Sequence, residues 1–187
     1  MNYELKKTMR FLIISDIHGA TDAFQLAIDA FQREHADYFI LCGDYLYHGP
    51  RNMLPLGYEP ANLAPLLNTQ KEKILAVRGN CDAEVDQMLL EFPMMSDYLM
   101  VFHANRRCVV THGHLPLPPL SAGDIVISGH THVPLLEEHD GIIYVNPGST
   151  TIPKSLSKPG YAVMDETSIT LKTLREGTVV KTRNREY

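Results

Sequence analysis

Short apolar runs, each closed by a Gly, Asp, Asn or His, recur along the chain and mark its strands. Phe11-Leu12-Ile13-Ile14 stops at Ser15-Asp16, and the same figure repeats, so strands are expected over 10–15, 38–42, 74–78, 107–111, 124–128, 142–145, 161–164, 168–173 and 178–182. Most are continuous in Ile, Val and Leu rather than alternating, as in strands covered on both faces. Between the first three the period changes. Phe24, Ala27, Ile28 and Phe31 share one face of a helix expected over 21–36, and further helices are expected over 60–71 and 82–92. Thr21 or Asp22 suits the first of these as its N-cap. Strand and helix alternate at the front, which argues for parallel βαβ units; the closely spaced strands at the back argue for hairpins in a second, mixed sheet. The expected fold is therefore α/β, two packed sheets flanked by helices. No repeat, low-complexity tract or linker divides residues 1–187, so one domain is expected.

Composition narrows the function classes. A chain of 187 residues buries roughly 70% of the surface its unfolded form exposes, enough for a real core. The net charge is −5, and basic residues are scattered apart from Arg106-Arg107 and the run over 181–185, so neither a nucleic-acid footprint nor a membrane patch is expected. Lys6, Lys7 and Arg10 precede an apolar run of only four residues, too short for a signal peptide or a membrane span. Cys42, Cys81 and Cys108 lack the paired spacing of a disulfide framework or a zinc knuckle. A protein of the reducing cytoplasm fits.

The stops themselves carry the chemistry. Asp16-Ile17-His18, Gly43-Asp44, Gly79-Asn80, Thr111-His112-Gly113-His114 and Gly129-His130-Thr131-His132 each follow an expected strand. Any one of them alone reads as a turn, because Asp, Asn and Gly are common turn formers. Together they collect carboxylates, imidazoles and one amide where the strands of an α/β sheet end and ligands bind. In an extended strand, residues i and i+2 point the same way, so Asp16 with His18 and His130 with His132 can each aim two groups at one point. This donor mixture suits Mn, Fe or Zn, with Ni or Mg as further options, rather than Ca or Cu(I). Two such ions roughly 3.5 to 4 Å apart share a bridging carboxylate and water, lower that water's pKa and hold both oxygens of an in-line displacement at phosphorus. Hydrolysis of a phosphate ester by a metal-activated water follows.

Asp-x-His, Gly-Asp, Gly-Asn-x-Asp, His and Gly-His-x-His, in this order over residues 16 to 132, resemble the calcineurin-like metallophosphoesterase superfamily. His48-Gly49-Pro50-Arg51-Asn52, Val77-Arg78-Gly79-Asn80-Cys81-Asp82 and Asn146-Pro147-Gly148-Ser149 are similar to the bacterial phosphodiesterases of the YfcE type within it. The resemblance implies a four-layer αββα sandwich and a homo-oligomer. It also implies a di-metal centre, usually Mn, in which Asp16, His18 and His132 bind one ion, Asn80, His112 and His130 the other, and Asp44 bridges them.

One position departs from the family pattern. Most members follow Gly-Asn with His, a general acid or phosphate clamp, where this chain has Cys81. A thiol with an ordinary pKa near 8.5 offers no imidazolium charge and is a poorer proton donor there. His114 and His48 are the candidate substitutes, and Cys81 itself is expected to be an inert thiol. Arg51 and Asn52 are candidate phosphate contacts, Arg78 a supporting or ion-pairing residue, and His35, His103 and His139 surface residues. Three functions are open: a phosphodiesterase acting on a small phosphate ester, a phosphomonoesterase such as a nucleotidase or protein phosphatase, and a non-catalytic scaffold. The last is suggested by the retromer subunit that shares this fold and also lacks the His. The complete ligand set here favours catalysis.

Overall fold

The structure, a computed structural model, describes residues 9–184; Lys6, Lys7 and Arg185 lie outside them. Its elements run β1 (Phe11–Ile14), α1 (Thr21–Arg33), β2 (Tyr38–Leu41), α2 (Pro60–Asn68), β3 (Ile74–Ala76), α3 (Glu84–Leu89), β4 (Tyr98–His103), β5 (Arg106–Thr111), β6 (Ile125–Ile127), β7 (Leu135–His139), β8 (Ile142–Asn146), β9 (Gly160–Met164), β10 (Ser168–Thr173) and β11 (Val179–Asn184). They form a six-stranded sheet in the order β11-β10-β9-β1-β2-β3 and a five-stranded sheet in the order β4-β5-β6-β8-β7. Both are mixed. β1, β2 and β3 are mutually parallel in the first sheet, as are β5, β6 and β8 in the second, and antiparallel hairpin strands complete each.

The alternation within β1 explains its unbroken apolar run. Leu12 and Ile14 join the core beneath the helices with Phe24, Ala27, Phe31, Leu63 and Leu67. Phe11 and Ile13 face the other way, into the core between the sheets, with Ile40, Cys108, Val110, Ile127 and Val145. A strand covered on both faces needs apolar residues at every position. α1 presses its buried stripe on the first sheet, and the Phe31 ring stacks on Phe39 at 4.2 Å between centroids. Two sheets flanked by helices is the sandwich expected. No helix among the described residues is long and apolar enough to cross a membrane.

Four local expectations are corrected. α1 is not capped by a side chain: Ala20 occupies the cap position, while Thr21 donates from its backbone to Gly57 O and from its hydroxyl to Glu59 O. β4 and β7 are additional strands. β7 joins β8 through Asp140-Gly141, both with positive φ, the Asp-Gly signature of a two-residue hairpin turn, so its signal was present in the sequence. β4 joins β5 through Ala104-Asn105, also left-handed, which carries no such signature. Finally, His103 is buried, its ring edge-on to Phe11 at 5.1 Å, whereas His35 and His139 are exposed.

Candidate metal centre

Because β1, β2 and β3 are parallel, and β5, β6 and β8 are parallel, the turns after these strands collect at the carboxyl rims of the two sheets. Asp16 and His18 follow β1, Asp44 follows β2, Asn80 and Cys81 follow β3, His112 and His114 follow β5, and His130 and His132 follow β6. The side chains converge, though not by strand alternation. Asp16 (φ 56°), His18 (49°), Asp44 (58°), His130 (66°) and His132 (60°) are all left-handed. Such residues are uncommon outside Gly, and Asp, Asn and His are the types that best tolerate the conformation. Each backbone reverses at the ligand instead of running past it. Strain of this kind persists where the surrounding structure enforces it, commonly at functional sites.

The sequence places these turns in contact by sparing them side chains. A Cβ on Gly79 would lie 2.0 Å from Asp44 Oδ1 and 2.4 Å from Asp44 N, so only glycine lets the third turn approach the second.

Three imidazoles are held in one tautomer. Nδ1 of His18, His112 and His132 lies 2.9, 2.6 and 2.7 Å from the carbonyl oxygens of Tyr47, Cys42 and Ile152. A carbonyl only accepts, so Nδ1 carries the hydrogen and Nε2 of each neutral ring turns a lone pair inward. Those lone pairs meet other acceptors. Asp16 Oδ1, buried and without a hydrogen bond, has Nε2 of His132, His18 and His112 at 3.2, 3.6 and 4.0 Å. Asp44 Oδ2 lies 3.5 Å from His112 Nε2 and 3.7 Å from His18 Nε2. Nε2 of His18 and His132 face each other at 3.3 Å, and Asn80 Oδ1 is 3.0 Å from His112 Nε2. Acceptors gathered on acceptors need either a proton or a metal cation between them, and this donor set fits divalent ions bound by nitrogen and oxygen. Donor atoms of Asp16, His18 and His132 lie within 4.8 Å of one another, as do those of Asp16, Asp44 and His112, and of His18, Asp44 and Cys81. His130 adjoins through its ring, 5.1 Å from that of His112.

Proton affinities follow from this crowding. Burial opposes a charge on His112, but hydrogen bonding to Asp44 and the charges of Asp16 and Asp44 outweigh it and raise its pKa to about 9. Burial likewise opposes the charge on Asp16, yet His132 and His18 hold its carboxyl well below the usual range. His130 and His114 are lowered, by burial first and then by His112. Burial, then Asp44, pushes Cys81 up to about 12, which leaves it a thiol.

The remaining candidates separate. Arg51 and Asn52 line a cleft of about 450 Å³ with the ligands, although the Asn52 amide is occupied by His48 O at 2.8 Å. His114 stands beside His112 and His130, at 5.3 and 6.2 Å between rings. The His48 ring is wedged between Tyr47 and Tyr58, away from the cleft lining. Arg78 lies beyond the end of β3 and pairs with Asp97 at 2.7 Å. Asp82, the last residue of the Gly-Asn-x-Asp motif, has a structural task. Its carboxylate accepts the backbone N–H groups of Asp44, Tyr45 and Gly79 at 2.9, 2.8 and 2.7 Å, tying the second ligand turn to the third.

Several residues of the site had no claim from sequence alone. Ser149 Oγ and Thr151 Oγ1 donate to Asp16 O at 2.8 and 3.0 Å, and Asn146 Nδ2 donates to Gly129 O at 2.7 Å. The loop after β8 thus braces the first and last ligand turns. The run Asn146-Pro147-Gly148-Ser149 was the available signal. Lys154 joins Arg51 as a second cation in the cleft wall.

The chain is similar to known phosphoesterases. The chain is 40% identical over 176 residues to the phosphodiesterase YfcE of Escherichia coli K12, covering 92% of this chain and 96% of that protein. It is 29% identical to a phosphodiesterase of Methanocaldococcus jannaschii over 75% of this chain and 83% of the relative. The solved structure of E. coli YfcE superposes with a TM-score of 0.91 at 39% identity, covering 94% of this chain and 98% of that one. Vacuolar protein sorting 29 of Cryptosporidium parvum shares the fold, with a TM-score of 0.64 at 19% identity over 96% and 98% of the two chains. Residues 9–168 match the calcineurin-like phosphoesterase superfamily domain, and the chain belongs to that superfamily.

Proposed function

We propose that this protein is a phosphodiesterase acting on small phosphate esters, with two divalent cations, preferentially Mn, held by Asp16, His18, Asp44, Asn80, His112, His130 and His132. Asp16, His18 and His132 would hold one ion, Asn80, His112 and His130 the other, and Asp44 would serve both. The observation that carries this reading is Asp16 Oδ1, a buried carboxylate oxygen that receives no hydrogen bond and faces three imidazole nitrogens. Such a pair of ions supplies, when bound, a water of lowered pKa and positive charge opposite the phosphoryl oxygens.

The chain's own residues do the rest. Arg51 and Lys154 in the cleft wall draw in and orient the anionic ester, Arg51 with a fork that matches phosphate oxygens. Asp82 and Ser149 fix the turns, and so the ligand positions. Cys81, a thiol pushed up to about 12, is a poorer proton donor than an imidazolium at this position; His114, its ring 5.3 Å from that of His112, is the candidate acid, and esters with acidic leaving groups, which need little protonation, are favoured. Three thiols outside any disulfide support a reducing compartment such as the cytoplasm, and exposed Met100 and Phe102 on edge strand β4 offer a surface for a homo-oligomer. Chelation should abolish hydrolysis of bis(4-nitrophenyl) phosphate and added Mn should restore it. Undiminished turnover by protein verified as metal-free would refute the proposal.

A further inference from the structure

The cleft that gathers the candidate ligands shares one of its walls with a second hollow. A groove of about 440 Å³, lined by Tyr47, Tyr58, Pro60, Val85 and Leu89, borders Cys81, which lines the cleft as well. The two differ in chemistry. The cleft presents Asp44, three imidazoles, Arg51 and Lys154, whereas the groove presents two tyrosine rings and aliphatic side chains beside Asp86. Val85 and Leu89 are 60% and 53% exposed, so short α3 turns them to solvent along the groove instead of using them in the core. The Cys81 thiol also belongs to a group whose donor atoms, with those of His18 and Asp44, lie within 4.8 Å of one another. A phosphoryl group held at those ligands therefore places its ester substituent one side chain away from the groove.

Building on the phosphodiesterase reading above, we infer that this groove binds an aromatic ester arm of the substrate. Aromatic rings pack well edge-to-face or offset against tyrosine, and burying one against Val85 and Leu89 removes apolar surface of both partners from water. Cys81, the side chain common to both hollows, is small and apolar, so little bulk stands between them.

Methylphosphonate and phenylphosphonate carry the same anionic head and differ only in the arm, so their inhibition constants against Mn-loaded enzyme isolate the groove. Phenylphosphonate is expected to inhibit competitively and about tenfold more tightly, a gap of about 1.4 kcal/mol. In the Val85→Asp/Leu89→Gln double variant that advantage should fall below twofold while methylphosphonate inhibition persists, which also reports an intact fold. Equal constants in the wild-type enzyme, or an undiminished phenyl advantage in the variant, would overturn the groove assignment and leave the metal cleft standing. Failure of both compounds to inhibit would overturn the reading of the cleft, and the groove assignment with it.

Discussion

Asp82→Asn tests how the ligand turns are held. The wild-type carboxylate accepts three backbone N–H groups, two at Oδ2 from Asp44 and Gly79 and one at Oδ1 from Tyr45. Hydrogen bonds to a charged acceptor are worth about 1.5 to 3 kcal/mol each. Asn can present its single oxygen where Oδ2 was and keep two bonds, now to a neutral acceptor. Its amide then faces the Tyr45 N–H donor to donor, so one bond is lost and the others weaken. Burial holds the Asp82 carboxyl up at about 6, so removing the charge returns part of that loss; a net cost of about 1 to 3 kcal/mol follows, which for a chain of this size lowers the melting temperature by roughly 2 to 12 °C. Metal-free protein is the sample, because bound ions would add their own stabilisation. In parallel, Mn affinity measured by calorimetry should weaken about 10- to 100-fold, as for other groups that orient ligands without touching the metal. A variant melting within about 1 °C of wild type, with Mn affinity unchanged, would show that Asp82 does not hold the turns and would refute the reasoning.

Asp44→Asn should lower occupancy by both ions and Asp16→Asn by one, because Asp44 faces His18 and His112 together; an Asp44→Asn enzyme with two ions per chain by elemental analysis would remove Asp44 as the bridge. Wild-type rates should fall steeply as leaving-group pKa rises along a series of phosphodiesters, and Cys81→His should raise turnover of the basic members by at least about tenfold; a flat wild-type series would reveal another acid and make His114 the next residue to replace. His112 is raised to about 9 in the metal-free chain. Since the folded value exceeds the ordinary 6.5, its stabilising contribution is complete below about 6.5 and is lost as pH climbs towards 9. Metal-free protein should accordingly lose stability over that window, while Mn binding should strengthen and release a proton, detectable by calorimetry in buffers of different ionisation enthalpy.

The turns that carry the candidate ligands were legible because each ends a strand whose apolar run is a local property of the sequence. Their convergence was legible too, but for a different reason from the alternation first invoked: left-handed residues, not extended ones, aim Asp16 with His18. The braces were harder. Ser149 reaches Asp16 across 133 positions, and nothing in a Ser-Thr-Thr run tells which carbonyl its hydroxyls will meet. Asp82 was visible as a carboxylate, whereas its three backbone partners exist only once the turns are adjacent. The β7–β8 hairpin was written in Asp140-Gly141 and could have been read; the β4–β5 hairpin, turning on Ala104-Asn105, could not.

The left-handed backbone at Asp16, His18, Asp44, His130 and His132 restricts the future of this site as well as its shape. For most L-residues that conformation costs roughly 1 to 2 kcal/mol, and Asp, Asn and His escape much of the penalty. The types the backbone tolerates are therefore the types that bind hard and borderline cations. Replacement by Cys or Glu would strain the main chain at the same step that alters the donor, so a drift towards thiolate-rich coordination is opposed twice. Replacement by Asn or Gly avoids that strain but not the other losses, because these buried side chains also tie the turns together, Cys81 N–H donating to Asp44 Oδ1 and His130 N–H to Asp16 Oδ2. The centre therefore cannot be emptied without loosening the rim of the sandwich that frames it.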